Sequence, residues 1–217
     1  VPAYDETTGK GLVRHVYVRV NRKGESLCCV VINGRQAPRE PELAAYVCAA
    51  VPHTAGVLVN SNTKRGNVIL GERYRTLWGR DYLMDTLCGL EFKLSVPSFY
   101  QVNRDQAEAL YGKALDYAGL TGRETVLDLY CGIGTITLCL AKQAGRVIGA
   151  EIVPAAIADA EENAARNRIE NAEFFCGDAA EVAARLEAEG LRPDVVTVDP
   201  PRKGLAPEVI GTLAAMG

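Results

Sequence analysis

The pattern of hydrophobic and polar positions changes near residue 97. Before it, short alternating stretches are typical of strands, and Val16, Val18 and Val20 fall on one face of the first. The strands predicted in this part are residues 15–20, 27–32, 56–60, 68–70 and 90–94. Residues 40–51 predict a helix with an apolar stripe. We therefore expect a small antiparallel sheet with one covering helix, an α+β domain over residues 1–97.

After this point, helices and strands alternate strictly. A helix is expected to begin after Asn103, whose side chain can cap it, and to end at Gly119. The strands that follow are predicted at residues 125–129, 146–150, 173–176 and 194–198. The helices are predicted at residues 134–143, 154–166, 179–188 and 206–215. This alternation implies parallel pairing, so we expect residues 98–217 to form a doubly wound, Rossmann-like sheet that binds ligands beyond the carboxyl ends of its strands.

The composition is that of an ordinary globular protein, with 48% hydrophobic and 24% charged residues among 217. No apolar run reaches the roughly 20 residues that cross a bilayer, so no membrane contact is expected. The seven cysteines are odd in number and form no C-x-x-C pair, which disfavours a disulfide framework and a metal site. A reducing cytoplasm is the expected location.

The net charge of −3 conceals an asymmetry between the two predicted domains. Residues 1–97 contain 13 Lys and Arg against 9 Asp and Glu, whereas residues 98–217 contain 11 against 18. A basic domain can contact a polyanion through phosphate groups, although ordinary surface variation explains the asymmetry nearly as well. A basic-aromatic cluster suited to RNA comprises Lys64, Arg65, Arg73, Arg75 and Arg80, with Tyr74 and Trp78 among them. A solvated hairpin is the alternative for this cluster.

A glycine loop follows the first strand of the second domain, at residues 128–135. Gly132 and Gly134 let the backbone turn tightly and approach a ligand, and Thr135 opens a helix whose free amides favour negative charge. The third glycine of the dinucleotide fingerprint is missing, so the loop does not demand a pyrophosphate. Glu151 ends the next strand, where its carboxylate can accept hydrogen bonds from both hydroxyls of a ribose. A strand-end carboxylate in solvent is the alternative.

Two further residues are candidates for the same site. Asp178 ends the third strand, where a carboxylate can bind an adenine amino group, and it can equally cap the following helix. Tyr130 can pack against a cofactor or fill the sheet edge. Both therefore have compatible structural and functional interpretations.

An Asp-Pro-Pro-Arg-Lys-Gly loop, residues 199–204, follows the fourth strand. Its two prolines fix φ and remove two backbone donors, so the loop is stiff and its carbonyl groups stay free to accept. A rigid loop that begins with a carboxylate, Asp199, can hold a planar base beside a methyl donor. Arg202 and Lys203 can reach phosphate, with an ordinary solvated pair as the alternative.

Nucleophilic catalysis is not predicted from the cysteines within the chain. Cys131 lies inside the glycine loop, where a bulky covalent intermediate would collide with a cofactor, so it is expected to pack rather than react. Cys139 and Cys176 are expected in the core. His15 and His53 have no visible acid partner, which makes general base roles unexpected.

Taken together, the chain resembles the RNA uracil-C5 methyltransferases, of the bacterial 23S rRNA (uracil-5-)-methyltransferase type. The segments that carry the resemblance are residues 98–103, 128–135 and 199–204 with Glu151, and it extends through residues 11–15 and 77–81. It implies S-adenosylmethionine as cofactor, bound by Gln101, Tyr130, Glu151 and Asp199. It also implies RNA as partner, with ribosomal RNA favoured over transfer RNA, and a flipped uracil beside Gln101 and Asp199.

The implied reaction begins with a thiolate that adds to C6 of uracil. The resulting enolate attacks the methyl group, and a base then removes the C5 proton as the thiolate leaves. In the family that thiolate belongs to a Ser-Cys-Asn-Pro motif after the Asp-Pro-Pro helix, and the chain has no such motif up to Gly217. We therefore expect a fragment that contains no catalytic residue, since both the nucleophilic cysteine and the family's N-terminal barrel lie outside it. Self-association through an exposed sheet edge is also expected.

Three other functions stay open from the residues alone. An N-methyltransferase acting on a base amino group uses a similar Asp-Pro-Pro loop without a cysteine. A catalytically silent RNA-binding protein could retain the same fold. A nucleotide-dependent dehydrogenase is disfavoured by the missing third glycine and by the Asp-Pro-Pro loop.

Overall fold

The computed structural model describes residues 1–216, which divide into two compact units. One unit comprises residues 1–85 with 93–97, and the other comprises residues 86–92 with the chain from Ser98 onward. The assignment of the first unit to RNA binding stays a prediction. None of the helices in the described chain is both long and apolar enough to cross a membrane.

The first unit is built on a four-stranded sheet with the order β1-β2-β3-β4. Its elements are β1 (Val13–Val20), β2 (Ser26–Ile32), α1 (Glu40–Ala50), β3 (Thr54–Ser61) and β4 (Arg73–Gly79). The two outer pairs are antiparallel, as expected for β1 and β2, but β2 and β3 pair in parallel. The difference arises because α1 connects β2 to β3 as a crossover, which returns the chain to the same end of the sheet.

Burial differs along the strands of this sheet. All seven residues of β2 are buried, whereas β1 points Val16, Val18 and Val20 toward solvent and turns Tyr17 inward. The predicted strand at residues 68–70 is wrong, since these residues belong to an irregular loop between β3 and β4. Strand β4 was not predicted.

A hairpin follows, formed by β5 (Tyr82–Leu87) and β6 (Leu90–Ser95). Cys88 and Gly89 connect the strands with φ values of 51° and 74°. Two consecutive positive φ angles are characteristic of the tight turn whose twist matches that of a hairpin. Strand β6 confirms the predicted strand at residues 90–94, and β5 was not predicted.

The second unit is a four-stranded parallel sheet with the order β10-β7-β8-β9. Its strands are β7 (Thr125–Leu129), β8 (Arg146–Glu151), β9 (Ala172–Cys176) and β10 (Val195–Val198). Its helices are α2 (Arg104–Ala118), α3 (Thr135–Ala141), α4 (Pro154–Arg166), α5 (Ala179–Ala188) and α6 (Pro207–Met216). The predicted doubly wound sheet is confirmed, with boundaries shifted by one or two residues.

Two buried clusters stabilise this sheet. One joins β7 and β8 to α5 and α6 through residues such as Leu129 and Val182, and the other joins them to α2 and α3 through Val126 and Leu140. Helix α2 begins at its predicted cap, where Asn103 Oδ1 accepts a hydrogen bond from the Gln106 amide at 3.3 Å.

The strand order reverses at one point of this sheet. From β7 the chain moves outward to β8 and β9, and then returns to place β10 on the other side of β7. In open parallel sheets, the crevice where the strand order reverses lies at the carboxyl ends of the two central strands. Here those ends are the segments after Leu129 and after Val198.

Candidate functional site

The glycine loop turns the chain from β7 into α3 with three residues in the left-handed region. These are Tyr130, Gly132 and Gly134, with φ values of 68°, 57° and 82°. A side chain at Gly134 would press on Ala160 and Phe174, about 3.3 Å from their nearest atoms. A Cβ at Gly132 would meet no atom within 4 Å. The surface over Gly132 is therefore open to a ligand, while Gly134 is needed for packing.

Glu151 links this loop to the neighbouring strand. One of its carboxylate oxygens accepts a hydrogen bond from the Gly132 amide at 3.3 Å, and the other accepts one from the Val153 amide at 3.0 Å. Ile152 follows directly and leaves 59% of its surface exposed. A carboxylate with an exposed aliphatic side chain beside it suits a ligand that has both hydroxyl groups and an apolar ring.

Asp128 is the second-last residue of β7, and only 1% of its surface is exposed. Its oxygens accept hydrogen bonds from the hydroxyls of Thr137, at 2.5 Å, and Thr197, at 2.8 Å. Burial raises the pKa of Asp128 to about 6. The two hydroxyl hydrogen bonds lower this pKa, while the nearby charge of Asp199 raises it. The carboxylates of Asp128, Glu151 and Asp199 together favour a ligand that carries positive charge.

A small cavity of about 30 Å³ lies between the two loops. The predicted residues that line it are Gln101, Tyr130, Gly132, Thr135 and Asp199. Its volume suits a water molecule or the tip of a ligand, so a larger ligand would rest mainly on the open surface beside Gly132. The segment before α2 is held by Ser98, whose hydroxyl donates to Asp159 at 2.8 Å.

Several side chains of this cavity were not predicted as site residues, among them Phe99 and Tyr111. Phe99 is 73% exposed at its rim, and Tyr111 is buried with its hydroxyl 3.0 Å from that of Thr135. Burial raises the pKa of Tyr111 to about 12. Tyr111 falls on the apolar face of α2, so periodicity alone marks it as core, and only its hydroxyl distinguishes it from a purely apolar neighbour.

The other predicted site residues lie outside the cavity. Gly134 forms the start of α3, and Asp178 caps α5 by accepting a hydrogen bond from the Ala180 amide at 2.9 Å. Arg202 is exposed in the turn after Asp199. That turn is closed by a hydrogen bond from the Gly204 amide to the Pro201 carbonyl at 2.8 Å, so this carbonyl is not free as expected.

Three predictions about cysteines have different outcomes. Cys131 is buried, and desolvation together with the charges of Asp128 and Glu151 raises the pKa of its thiol. Cys139 is buried, as predicted. Cys176 is exposed, so the prediction that it lies in the core is wrong. The reason is that β9 is an edge strand, and Cys176 is its last residue.

The basic-aromatic cluster belongs to the first unit, where three of its cations have acidic partners. Arg75 forms a bidentate pair with Glu40 at 2.6 and 2.7 Å, Lys64 pairs with Glu72 at 2.7 Å, and Arg80 pairs with Glu25 at 2.9 Å. Arg65 donates to the Thr8 carbonyl at 3.4 Å. The predicted RNA contacts of Lys64 and Arg65 stay predictions.

Comparison with known proteins agrees with this geometry. A family model described as tRNA (Uracil-5-)-methyltransferase matches residues 71–216. Proteins described as uncharacterized RNA methyltransferases are 44% identical in Halalkalibacterium halodurans and 45% identical in Staphylococcus aureus, over all 217 residues. The chain spans about half the length of these relatives, 47% and 48% respectively.

Solved structures show the same fold. The tRNA (uracil-54, C5)-methyltransferase of Pyrococcus abyssi, in complex with S-adenosyl-L-homocysteine, superposes with a TM-score of 0.76 at 26% identity, over 97% of this chain and 49% of that one. A SAM-dependent methyltransferase of Agrobacterium tumefaciens gives 0.57 at 17% identity, over 93% and 68%. The predicted cofactor class agrees with these neighbours.

Proposed function

Since the chain belongs to the tRNA (uracil-5-)-methyltransferase family, we propose that it carries the methyl-donor site of an RNA uracil-C5 methyltransferase. The observation that carries the proposal is the meeting of the glycine loop, Gln101 and Asp199 around one cavity at the switch point of the sheet. S-adenosylmethionine would supply the methyl group when bound there.

The residues present fit such a cofactor. Glu151 would bind the ribose hydroxyls, because one of its oxygens already lies at the glycine loop and both oxygens have further lone pairs available. Ile152 would be covered by the adenine ring, and the open space over Gly132 would admit the ligand without a clash. Tyr130, Gly134, Thr135 and Asp178 would shape and border this site. The three carboxylates favour a sulfonium cation.

Gln101 and Asp199 would orient the uracil. An amide group can donate to a uracil carbonyl oxygen, and a carboxylate can accept from the N3–H, so this pair complements the edge of the base. Asp199 is exposed and stands at the start of a turn closed by Pro201 and Gly204. Arg202 on the same turn would contact phosphate of the RNA.

Cys131 is a poor candidate for the nucleophile. Attack on C6 requires a thiolate, and Cys131, the one cysteine that lines the cavity within residues 1–216, has a raised pKa and 6% exposure. Its sulfur also lies beside the backbone of Gly149, under the loop that would hold the cofactor. This chain would therefore bind the cofactor and orient the base, and the attacking cysteine would be one other than Cys131.

Methyl transfer can be measured by digesting treated RNA to nucleosides and detecting 5-methyluridine by mass spectrometry. With the protein at the full length of its relatives, we expect 5-methyluridine in 23S rRNA transcripts, a preference that rests on the resemblance of the sequence. With this chain alone, we expect none. Modification confined to tRNA would contradict the proposed substrate, and a methylated base amino group would contradict the proposed reaction.

A further inference from the structure

The first unit contains a cleft of about 570 Å³ next to the loop between β3 and β4. Its lining includes four basic side chains and one carboxylate: Arg35, Lys64, Arg65, Arg73 and Glu72. The volume lies in the range typical of ligand-binding pockets, and the excess of positive charge favours an anion.

The wall of the cleft is fixed by two buried asparagines. Asn60 donates to the carbonyls of Gly71 and Arg73 at 2.8 and 3.1 Å, and its side-chain oxygen accepts from the Gly71 amide at 2.7 Å. Asn62 donates to the carbonyls of Val68 and Ile69 at 2.7 and 3.0 Å. Both are at most 3% exposed. An irregular loop held by this many buried hydrogen bonds is ordered before any ligand arrives.

A buried arginine supports the start of the same loop. The side chain of Arg14 is 1% exposed, and its guanidinium donates to the carbonyls of Asn62 and Lys64 at 2.9 and 2.7 Å. Its Nη2 lies 3.7 Å from Glu6, and its Nε has no hydrogen-bond partner within residues 1–216. The start of the loop is therefore fixed by a buried guanidinium, whose charge is paired with Glu6.

Two cations in the cleft are available to a ligand. Across residues 1–216, neither Arg35 nor Arg73 forms an ion pair, and both are exposed. Lys64 is instead paired with Glu72 at 2.7 Å, which leaves it less free than the sequence suggested. A guanidinium binds phosphate oxygens through two parallel hydrogen bonds. Two arginines that form no ion pair and lie on an ordered wall can therefore hold a phosphodiester.

We propose that this cleft binds the phosphate backbone of RNA, with Arg35 and Arg73 as its ligands. The inference rests on the proposed function, since it takes RNA as the substrate, and it adds a defined second anchor in the first unit. Val68 is 71% exposed on the rim, where an apolar side chain can contact a ribose or a base. An open cleft with an apolar rim suits a chain passing through it better than a small enclosed anion.

The test compares RNA binding by the wild type and by an Arg35→Ala/Arg73→Ala variant. Fluorescence anisotropy with a labelled, uridine-containing single-stranded RNA is recorded at several salt concentrations. The binding constant K falls as salt rises, and each lost phosphate contact to a single strand makes the slope of log K against log [salt] less steep by about 0.7. For the two arginines together, we expect the slope to become less steep by about 1.4 and the affinity at 0.1 M salt to fall roughly 25-fold.

Two control variants isolate the role of the cleft. Lys23→Ala/Arg39→Gln removes the same number of charges from exposed positions of the same unit outside the cleft, and should leave the slope within about 0.3 of the wild type. Arg35→Lys/Arg73→Lys keeps the charges and should keep most of the slope. Equal slopes for the alanine variant and the Lys23/Arg39 control would overturn the inference.

The outcomes separate this inference from the proposed function. If the wild type binds RNA and the alanine variant loses no more than the control, the cleft is not the anchor and the proposed function stands. If the wild type shows no salt-dependent RNA binding, the cleft inference is overturned, and binding of S-adenosylhomocysteine then shows whether the methyl-donor site survives.

Discussion

Replacing Asp128 with asparagine should remove a dependence of stability on pH. The carboxyl group is 1% exposed, and burial raises its pKa from 3.8 to about 6. Between these values the folded chain holds a proton that the unfolded chain releases, so the free energy of unfolding falls as pH rises from 4 to 6. A shift of about 2 units corresponds to roughly 3 kcal/mol, which is an order-of-magnitude value.

The Asp128→Asn variant keeps the shape of the side chain but cannot ionise. Its amide can still accept from one of the hydroxyls of Thr137 and Thr197, and it can donate to the other. Relative to the wild type, the variant should therefore gain up to about 3 kcal/mol between pH 4 and pH 7. Carboxyl groups that do not interact with Asp128 contribute equally to both proteins and cancel in the difference.

Urea unfolding followed by far-ultraviolet circular dichroism measures this difference at pH 4.5, 5.5, 6.5 and 7.5. The single tryptophan, Trp78, lies in the first unit and would not report on the sheet that contains Asp128. Asp116→Asn, at a carboxyl that is 68% exposed, is the control for the same substitution outside the core. A constant difference between Asp128→Asn and the wild type over this range would refute the reasoning.

Three further substitutions test other contacts. Gly134→Ala should destabilise the second unit by about 1–3 kcal/mol in urea unfolding, because φ is 82° and the new methyl group meets neighbours at 3.3 Å; an unchanged midpoint would contradict this. Arg75→Gln removes the cation that lowers the pKa of Glu40, so tryptophan-monitored stability should fall most near neutral pH, where Glu40 is ionised, and the difference from the wild type should shrink on acidification; a difference independent of pH would speak against the pair. Tyr111→Phe removes the partner of the Thr135 hydroxyl and should cost about 1 kcal/mol, with Tyr117→Phe, on an exposed tyrosine of the same helix, as the control.

The sequence is sufficient to predict the second unit. Its two central strands, β7 and β8, are short apolar runs that are mostly buried, and the helix α2 has a cap at Asn103 and a stop at Gly119. Local signals and tertiary packing agree there, so the order of elements and the position of the glycine loop follow from periodicity. Cys176 was misplaced because no local pattern reveals which strand will lie at the edge.

The first unit was harder to predict because its decisive contacts are remote in sequence. Residues 68–70 have the composition of a strand, but Asn62 binds the carbonyls of Val68 and Ile69 and holds the segment as a loop. Strand β4 is polar and mostly exposed, so it shows little alternation. Arg35 and Arg73 line the same cleft because a turn and a strand that are far apart in the chain come together there.

Calorimetric titration of S-adenosylhomocysteine into this chain tests the central claim most directly. The wild type should bind it, and Glu151→Gln should bind about 10- to 100-fold more weakly, because hydrogen bonds from the ribose to a charged acceptor contribute roughly 1.5–3 kcal/mol. Glu161→Gln, on α4, should bind as the wild type does, and NAD should give no heat. The absence of S-adenosylhomocysteine binding to the wild type, or equal binding by the Glu151 variant, would contradict the account.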